Sequence, residues 1–117
     1  MCIRDSPNTK QLKGLYAESL ALLYVSKYEG FGMPLLEAMS QGCIPIAGNH
    51  SSIPEVLDTA GILINDLTPE NIANQMRQLL ASSKETDEMI SIGQNRSSRF
   101  SWASSSSETI KFYKEII

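Results

Sequence analysis

The sequence predicts an α/β fold with a parallel β-sheet, and three observations support that prediction. Continuous apolar runs at residues 20–25, 43–47 and 61–64 suit strands of a parallel sheet that is covered on both faces. Segments with apolar residues at helical spacing alternate with these runs, and such alternation favours right-handed crossovers. The length of 117 residues leaves room for one domain at most.

Helices are predicted on both sides of these strands. Gly42 is expected to end the helix before the second strand, and Thr68 to cap the helix that begins at Pro69. Pro45 argues against a central strand, because proline cannot donate a ladder hydrogen bond. Four serines at 104–107 disfavour a helix interior, so the last helix is expected to fray or begin late. The predicted helices are residues 10–19, 34–41, 54–58, one from 69 with an apolar stripe on Ile72, Met76, Leu79 and Leu80, 85–99 with Gly93 weakening it, and one from 102 capped by Ser101.

Composition excludes several classes of protein. The net charge is −3 and no basic run is present, which argues against a nucleic-acid partner. The longest apolar run, 20–25, is too short for a transmembrane segment, and no signal peptide is visible. Cys2 and Cys43 suggest reduced thiols and a cytoplasmic location, with peripheral membrane association of a whole enzyme left open. No metal site is expected, because no Asp-x-Asp pair or His/Cys cluster occurs.

Residues 29–37, with the sequence EGFGMPLLE, carry the clearest functional signal. Their glycines let a backbone approach a ligand closely, and Pro34 suits the first position of a helix. A helix N-terminus offers free N–H groups and partial positive charge to an anion. The N–H groups of Leu35 and Leu36 are therefore expected to be available to a phosphate. Glu37 is expected to have a functional role, because it is a charged residue among apolar neighbours.

The same segment resembles the donor-binding motif of the retaining glycosyltransferases of family 4, which have the GT-B fold. In that motif two glutamates stand seven residues apart, as Glu29 and Glu37 do, and Gly-Phe-Gly follows the first. The resemblance continues through segments 41–47, 51–56, 60–64 and 69–73, and the family often has proline where Pro45 stands. It implies a partial Rossmann-like, doubly wound parallel sheet of about three strands, the second half of a GT-B C-terminal domain.

The resemblance assigns a role to each residue of the motif. It implies that Glu37 accepts hydrogen bonds from the ribose hydroxyls of a nucleotide, and that Glu29 contacts the transferred sugar and acts as the catalytic carboxylate. Gly30, Phe31 and Gly32 would bind the sugar and distal phosphate through backbone N–H groups, with Phe31 packing to hold the loop. Met33, Leu35 and Leu36 would bind through their main chain alone.

The resemblance also implies what the whole enzyme does. It would be a hexosyltransferase-type enzyme that transfers a sugar from a UDP- or GDP-sugar donor to an unknown acceptor, with retention and without a cofactor or metal. The segment with the family's Arg and Lys clamp and the N-terminal domain are not represented here, so the chain alone is expected to be inactive. Residues 1–6 match nothing in the family and are expected to be a non-native leader, while residues 7–117 form the partial domain.

Residues outside the motif receive simpler interpretations. His50 is expected to be a solvated loop side chain. Two interpretations of Ser51 and Ser52 remain open: contact with the ligand, or hydrogen bonding within their loop. For Ser26, a hydrogen bond to the backbone of the motif loop and the absence of such a bond are left as equal alternatives. Trp102 is expected to pack in the core, as its counterpart at the start of the family's final helix suggests.

Other functions remain open at this point. A non-catalytic Rossmann-like nucleotide-binding domain would keep the fold without transfer, and another GT-B enzyme, such as an epimerase, would keep the donor site. A dinucleotide-binding oxidoreductase is disfavoured because Leu35 stands where Gly-x-Gly-x-x-Gly needs its third glycine. A phospho-receiver domain is disfavoured because the required acidic cluster is absent from the sequence.

Overall fold

The protein is an α/β domain whose elements follow the predicted order. A computed structural model describes residues 6–117, so most of the predicted leader, residues 1–5, lies outside the described residues. Where the sequence predicted a boundary, the observed one lies within two residues of it. In chain order the elements are α1 (Thr9–Ala17), β1 (Ala21–Tyr24), α2 (Met33–Ser40), β2 (Ile44–Gly48), α3 (Ile53–Leu57), β3 (Ile62–Ile64), α4 (Pro69–Ala81), α5 (Ser83–Ser98) and α6 (Trp102–Ile116).

The three strands form one parallel sheet in the order β1-β2-β3. Every residue of the central strand β2 is buried, as a parallel strand between two neighbours requires. Strand β1 is half-buried or exposed, with 44% of Leu23 accessible to solvent. Within the described residues β1 is an edge strand that pairs only with β2, which explains why it is less buried than the central strand.

Pro45 lies inside β2, opposite Leu22 of β1, despite the general rule against proline in a central strand. The Ile44 N–H donates to Leu20 O at 3.0 Å, so the alternation of the strand turns the Pro45 nitrogen toward the β3 side. There, pairing begins one residue later, with Ile46 opposite Ile62. The missing N–H consequently removes no hydrogen bond of the ladder.

Helices cover both faces of the sheet, which confirms the doubly wound arrangement. Alternate residues of β2 belong to two different clusters: Ala47 packs with Leu35, and Ile46 packs with Leu79. The first cluster joins β2 to α2 and α3, and the second joins it to β3 and α4. Helix α5 packs closely on α2 at Gly93, where a Cβ would lie in van der Waals contact with Met39 Cγ at 3.4 Å.

Helix α6 differs from its prediction in two respects. It begins directly at Trp102, because Ser101 Oγ accepts a hydrogen bond from the Ser104 N–H at 3.0 Å and caps the first turn. The expected late start was wrong. Trp102 is 81% exposed and no residue of α6 is buried, so its assignment to the core was also wrong. Leu80 of α4 is likewise exposed, whereas Thr68 caps α4 as predicted.

Strand β2 and the turn before β3 approach so closely at Gly61 that any larger residue there is expected to destabilise the fold. In Gly61→Ala the new Cβ would lie 2.9 Å from Pro45 O, so we expect a loss of about 1–3 kcal/mol in the free energy of unfolding. Gly14→Ala in α1 is the matched control, because no atom lies within 4 Å of that Cβ and alanine favours the helix by about 0.5–1 kcal/mol. Urea unfolding of both variants measures the difference. Equal stability of the two would contradict this packing.

Candidate functional site

Three loops meet at the carboxyl edge of the sheet, as the topology predicted. They are residues 25–32 after β1, 49–52 after β2 and 65–68 after β3. Asn49 Nδ2 donates to Asn65 Oδ1 at 2.7 Å and ties the second loop to the third. In open parallel sheets this edge is where ligands bind. The motif with both glutamates therefore begins at the expected place.

The first loop is fixed to the second through the backbone of Glu29. The Glu29 N–H donates to Ser51 Oγ at 3.2 Å, and Ser52 Oγ donates to the Glu29 carbonyl oxygen at 2.9 Å. Of the two interpretations of Ser51 and Ser52, the structure thus shows hydrogen bonding between loops. Ser26 bonds within its own loop, where its hydroxyl donates to Tyr28 O at 3.1 Å. The backbone contacts leave the Glu29 side chain free to interact with other groups.

Gly32 sets the turn from the loop into α2. Its φ is +89°, and a Cβ there would lie 2.9 Å from Leu35 Cδ1, so both the backbone and the packing require glycine. Helix α2 begins at Met33, which places Pro34 second instead of first. The side chains of Leu35 and Leu36 are buried, as expected.

The N–H groups of the motif are not distributed as predicted. The Leu35 N–H donates to Gly32 O at 3.0 Å, so its predicted availability to a phosphate was wrong. This bond forms because the left-handed Gly32 turns its carbonyl into the first turn of the helix. The N–H groups of Gly30, Phe31 and Gly32 have no hydrogen-bond partner within residues 6–117. Gly30 and Phe31 are exposed whereas Gly32 is buried, so the donors most open to a ligand are the N–H groups of Gly30 and Phe31.

Two tyrosines that sequence reasoning did not single out accompany the two glutamates. The Tyr16 hydroxyl of α1 donates to Glu37 Oε2 at 3.4 Å. Tyr24 ends β1, and its hydroxyl interacts with the Glu29 carboxylate. The position of Tyr24 at the end of a predicted strand placed it at the ligand edge, but nothing in the sequence paired Tyr16 with Glu37.

The surroundings of the site shift the pKa of Glu29 down and the pKa values of the two tyrosines up. The Ser26 hydroxyl, whose single proton is shared between Tyr28 O and the Glu29 carboxylate, and after it the Tyr24 hydroxyl, lower the pKa of Glu29, because hydrogen bonds stabilise the charged form. Burial, and then the Glu29 carboxylate, raises the pKa of Tyr24 to about 12. Burial and Glu37 also raise the pKa of Tyr16. At neutral pH the site presents negative charge with hydroxyl donors beside it.

Phe31 packs to hold the loop, as expected. Its ring meets Phe100 edge to face, with centroids 5.8 Å apart and an interplanar angle of 70°. Beside this pair runs an apolar groove of about 620 Å³ between the start of α2 and the start of α6. Phe31, Met33 and Trp102 line it, whereas Glu29 and Glu37 do not.

His50 does not behave as the solvated side chain that was predicted. Its imidazole lies over Gly48, and its Nδ1 is buried with no hydrogen-bond partner within residues 6–117. A second cavity, of about 320 Å³, lies on another part of the surface, between the turn 58–60 after α3 and residues 91–96 of α5. We call it the α3–α5 cavity.

Comparison with known proteins identifies the family. The family model "Glycosyl transferases group 1" matches residues 4–96. The chain belongs to this family. Among curated glycosyl transferases, the O-antigen chain mannosyltransferase B of Escherichia coli is 34% identical over 90% of this chain and 28% of its own length. The GDP-mannose:cellobiosyl-diphosphopolyprenol alpha-mannosyltransferase of Komagataeibacter xylinus is 30% identical over 98% of this chain and 30% of its own length.

Solved structures show the same fold in other glycosyl transferases. The C-terminal domain of a glycosyl transferase group 1 family protein from Francisella tularensis matches with a TM-score of 0.69 and 26% identity, over 85% of this chain and 51% of that one. The chain therefore adopts the fold of a GT-B C-terminal domain and spans less than a third of the curated relatives described above. None of the helices within residues 6–117 combines the length and apolar character needed to cross a membrane.

The hydrogen bonds around Glu29 predict how its pKa responds to mutation. In Ser26→Ala the carboxylate loses its strongest stabilising partner, so we expect its pKa to rise toward the usual value of 4.5. Carboxyl ¹³C NMR titration measures the shift, with Ser40→Ala on α2 as a control that leaves Glu29 untouched. An unchanged pKa of Glu29 in Ser26→Ala would contradict this assignment.

Proposed function

We propose that this chain forms part of the nucleotide-sugar donor site of a retaining glycosyltransferase, and that the donor is GDP-mannose. One observation carries the proposal. The loop that matches the donor motif presents N–H groups with no partner among residues 6–117, and the accessible carboxylate of Glu29, at the carboxyl edge of the sheet. The mannosyltransferase relatives favour mannose, and the name of one specifies GDP-mannose as its donor.

The loop supplies donors for the diphosphate and the sugar. The N–H groups of Gly30, Phe31 and Gly32 lie immediately before the N-terminus of α2, where the helix dipole adds partial positive charge. Gly30 has open space around the position of a Cβ, so a ligand can approach its backbone. In our proposal these donors neutralise charge that develops on the departing diphosphate.

Glu37 is proposed to bind the ribose of the nucleotide. Its side chain is exposed, and Tyr16 contacts only one of its oxygens. An ionised carboxylate accepts hydrogen bonds through both oxygens, so the other oxygen is available to a ribose hydroxyl. Tyr16 then orients the carboxylate and does not compete with the ligand.

Glu29 is proposed to act beside the transferred sugar. A glutamate with the usual pKa of 4.5 is already ionised at neutral pH, and the neighbouring hydroxyls lower the pKa of Glu29 further. A fixed negative charge near the anomeric carbon stabilises the positive charge that develops there during transfer. The backbone bonds to Ser51 and Ser52 hold the residue in place before the ligand arrives, which lowers the cost of organising the site.

The site is proposed to need further parts of a longer protein. Because the chain spans 28% of the E. coli relative, most of a whole enzyme lies outside it. We propose that an N-terminal domain supplies the acceptor site, and that a basic pair outside this chain clamps the diphosphate. Without them the 117-residue chain binds the donor weakly and does not transfer its sugar.

Glu37 provides the most direct test of nucleotide binding. We expect Glu37→Gln to weaken GDP binding about tenfold or more, because a hydrogen bond to a charged group contributes about 1.5–3 kcal/mol. Isothermal titration calorimetry with GDP and UDP measures the affinity. Glu70→Gln, at an exposed acid in the first turn of α4, is the matched control. Equal affinities of the two variants would contradict the proposed role.

The chemistry is tested on a longer chain that contains residues 7–117 and the preceding domain. We expect it to transfer mannose from GDP-mannose with the anomeric configuration retained, and the 117-residue chain to show no transfer. The anomeric ¹H NMR signals of the product report the configuration. An inverted product, or transfer by the short chain, would contradict the corresponding part of the proposal.

A further inference from the structure

The loop that carries Glu29 has a second attachment, at the C-terminal end of α5. The Phe31 ring packs edge to face on Phe100, with centroids 5.8 Å apart. The guanidinium of Arg96 lies over the Phe100 ring, with its central carbon 4.9 Å from the ring centroid. A guanidinium over an aromatic face is attracted to the ring and restrains its orientation. Phe31 therefore packs against the Phe100 ring, and Arg96 restrains the orientation of that ring.

Arg96 connects this aromatic pair to the helix that follows the two serines. Its Nη2 donates to Glu55 O at 2.6 Å and its Nε to Val56 O at 3.1 Å, both near the C-terminal end of α3. These carbonyls lack partners within so short a helix, and the guanidinium supplies two. Helix α3 begins directly after Ser51 and Ser52, which bond to the backbone of Glu29. The contacts therefore connect the loop to α3 through the serines, α3 to Arg96, and Arg96 through Phe100 back to the loop.

The two attachments restrain different parts of the loop. The serine hydroxyls fix only the backbone of Glu29, and nothing lies within 4 Å of the Cβ position of Gly30. Without a further contact the chain could pivot at Gly30, because glycine permits many backbone angles. Phe31 comes next, and its packing on Phe100 removes that freedom. One end of the segment 29–31 is then fixed to the serines that precede α3, and the other end to Phe100, which follows α5.

From this geometry we infer that Phe100 and Arg96 are positioning residues that hold the backbone of Glu29–Phe31 in its ligand-binding conformation. Neither residue needs to touch the donor. Their effect on nucleotide binding rests on the function proposed above, whereas their effect on the loop does not. Nothing in the sequence pattern around residues 96 and 100 predicted this role.

The loop itself provides the primary test, by ¹⁵N relaxation of the 117-residue chain. We expect order parameters of about 0.85 for residues 29–31 in the unmodified chain and below about 0.6 in Phe100→Leu, with those of β2 unchanged. Leucine keeps apolar packing on the core but removes the ring contact with Phe31. Phe100→Tyr restores a ring and is expected to restore the order. Phe112→Leu, an exposed aromatic on α6, is the matched control.

Arg96→Lys gives an independent readout if Phe100→Leu is poorly folded. It keeps the charge but loses the two-carbonyl fork, and it is expected to lower the order parameters of residues 29–31 without changing those of β2. Unchanged order in the loop, or an equal loss in the loop and in β2, would overturn the inference.

A GDP titration of the same variants tests the consequence for binding. We expect Phe100→Leu to weaken affinity about fivefold or more and Phe112→Leu to leave it unchanged. Equal affinity of Phe100→Leu and the unmodified chain would overturn the link to the ligand. If the unmodified chain shows no binding to GDP, the proposed function fails, and the relaxation data still decide the positioning role.

Discussion

Two hydrogen bonds to the backbone of Glu29 are the constraint on which the site depends. They join residues 22 and 23 positions apart in the sequence, because β1 and β2 are parallel neighbours and end at the same edge. The two loops therefore emerge side by side, and serine hydroxyls from one reach the main chain of the other. Main-chain contacts fix the position of Glu29 while its carboxylate stays available to a ligand.

The start of α2 converts this fixed loop into a surface that can bind an anion. Gly32 adopts a left-handed conformation, and the Leu35 side chain lies too close to leave room for a Cβ there. Its carbonyl oxygen accepts a hydrogen bond from the Leu35 N–H. The Leu35 N–H of the first turn is thereby satisfied from within the motif. Among residues 6–117, the loop N–H groups of Gly30, Phe31 and Gly32 have no partner, and they follow Glu29 directly in the chain. The acid, the donors and the positive end of the helix dipole thus share one short stretch of chain.

The sequence predicted those features that depend on local chemistry. Thr68 at a helix start and the order of strands and helices follow from short-range rules, and the structure confirms both. The wrong predictions concern contacts made at a distance. Trp102 is exposed because α6 lies apart from both clusters, and His50 is partly buried because it folds over Gly48. The bond between Tyr16 and Glu37 joins α1 to α2, and no local pattern encodes such a pair.

The most direct test of this account maps where a donor nucleotide binds. ¹H–¹⁵N spectra of the labelled 117-residue chain, recorded during titration with GDP-mannose, report the environment of each amide. We expect the largest shifts at Gly30, Phe31, Gly32 and Met33, whose amides lie in and directly after the loop. Shifts concentrated at residues 58–60 and 91–96, around the α3–α5 cavity, with the loop amides unchanged, would contradict the account.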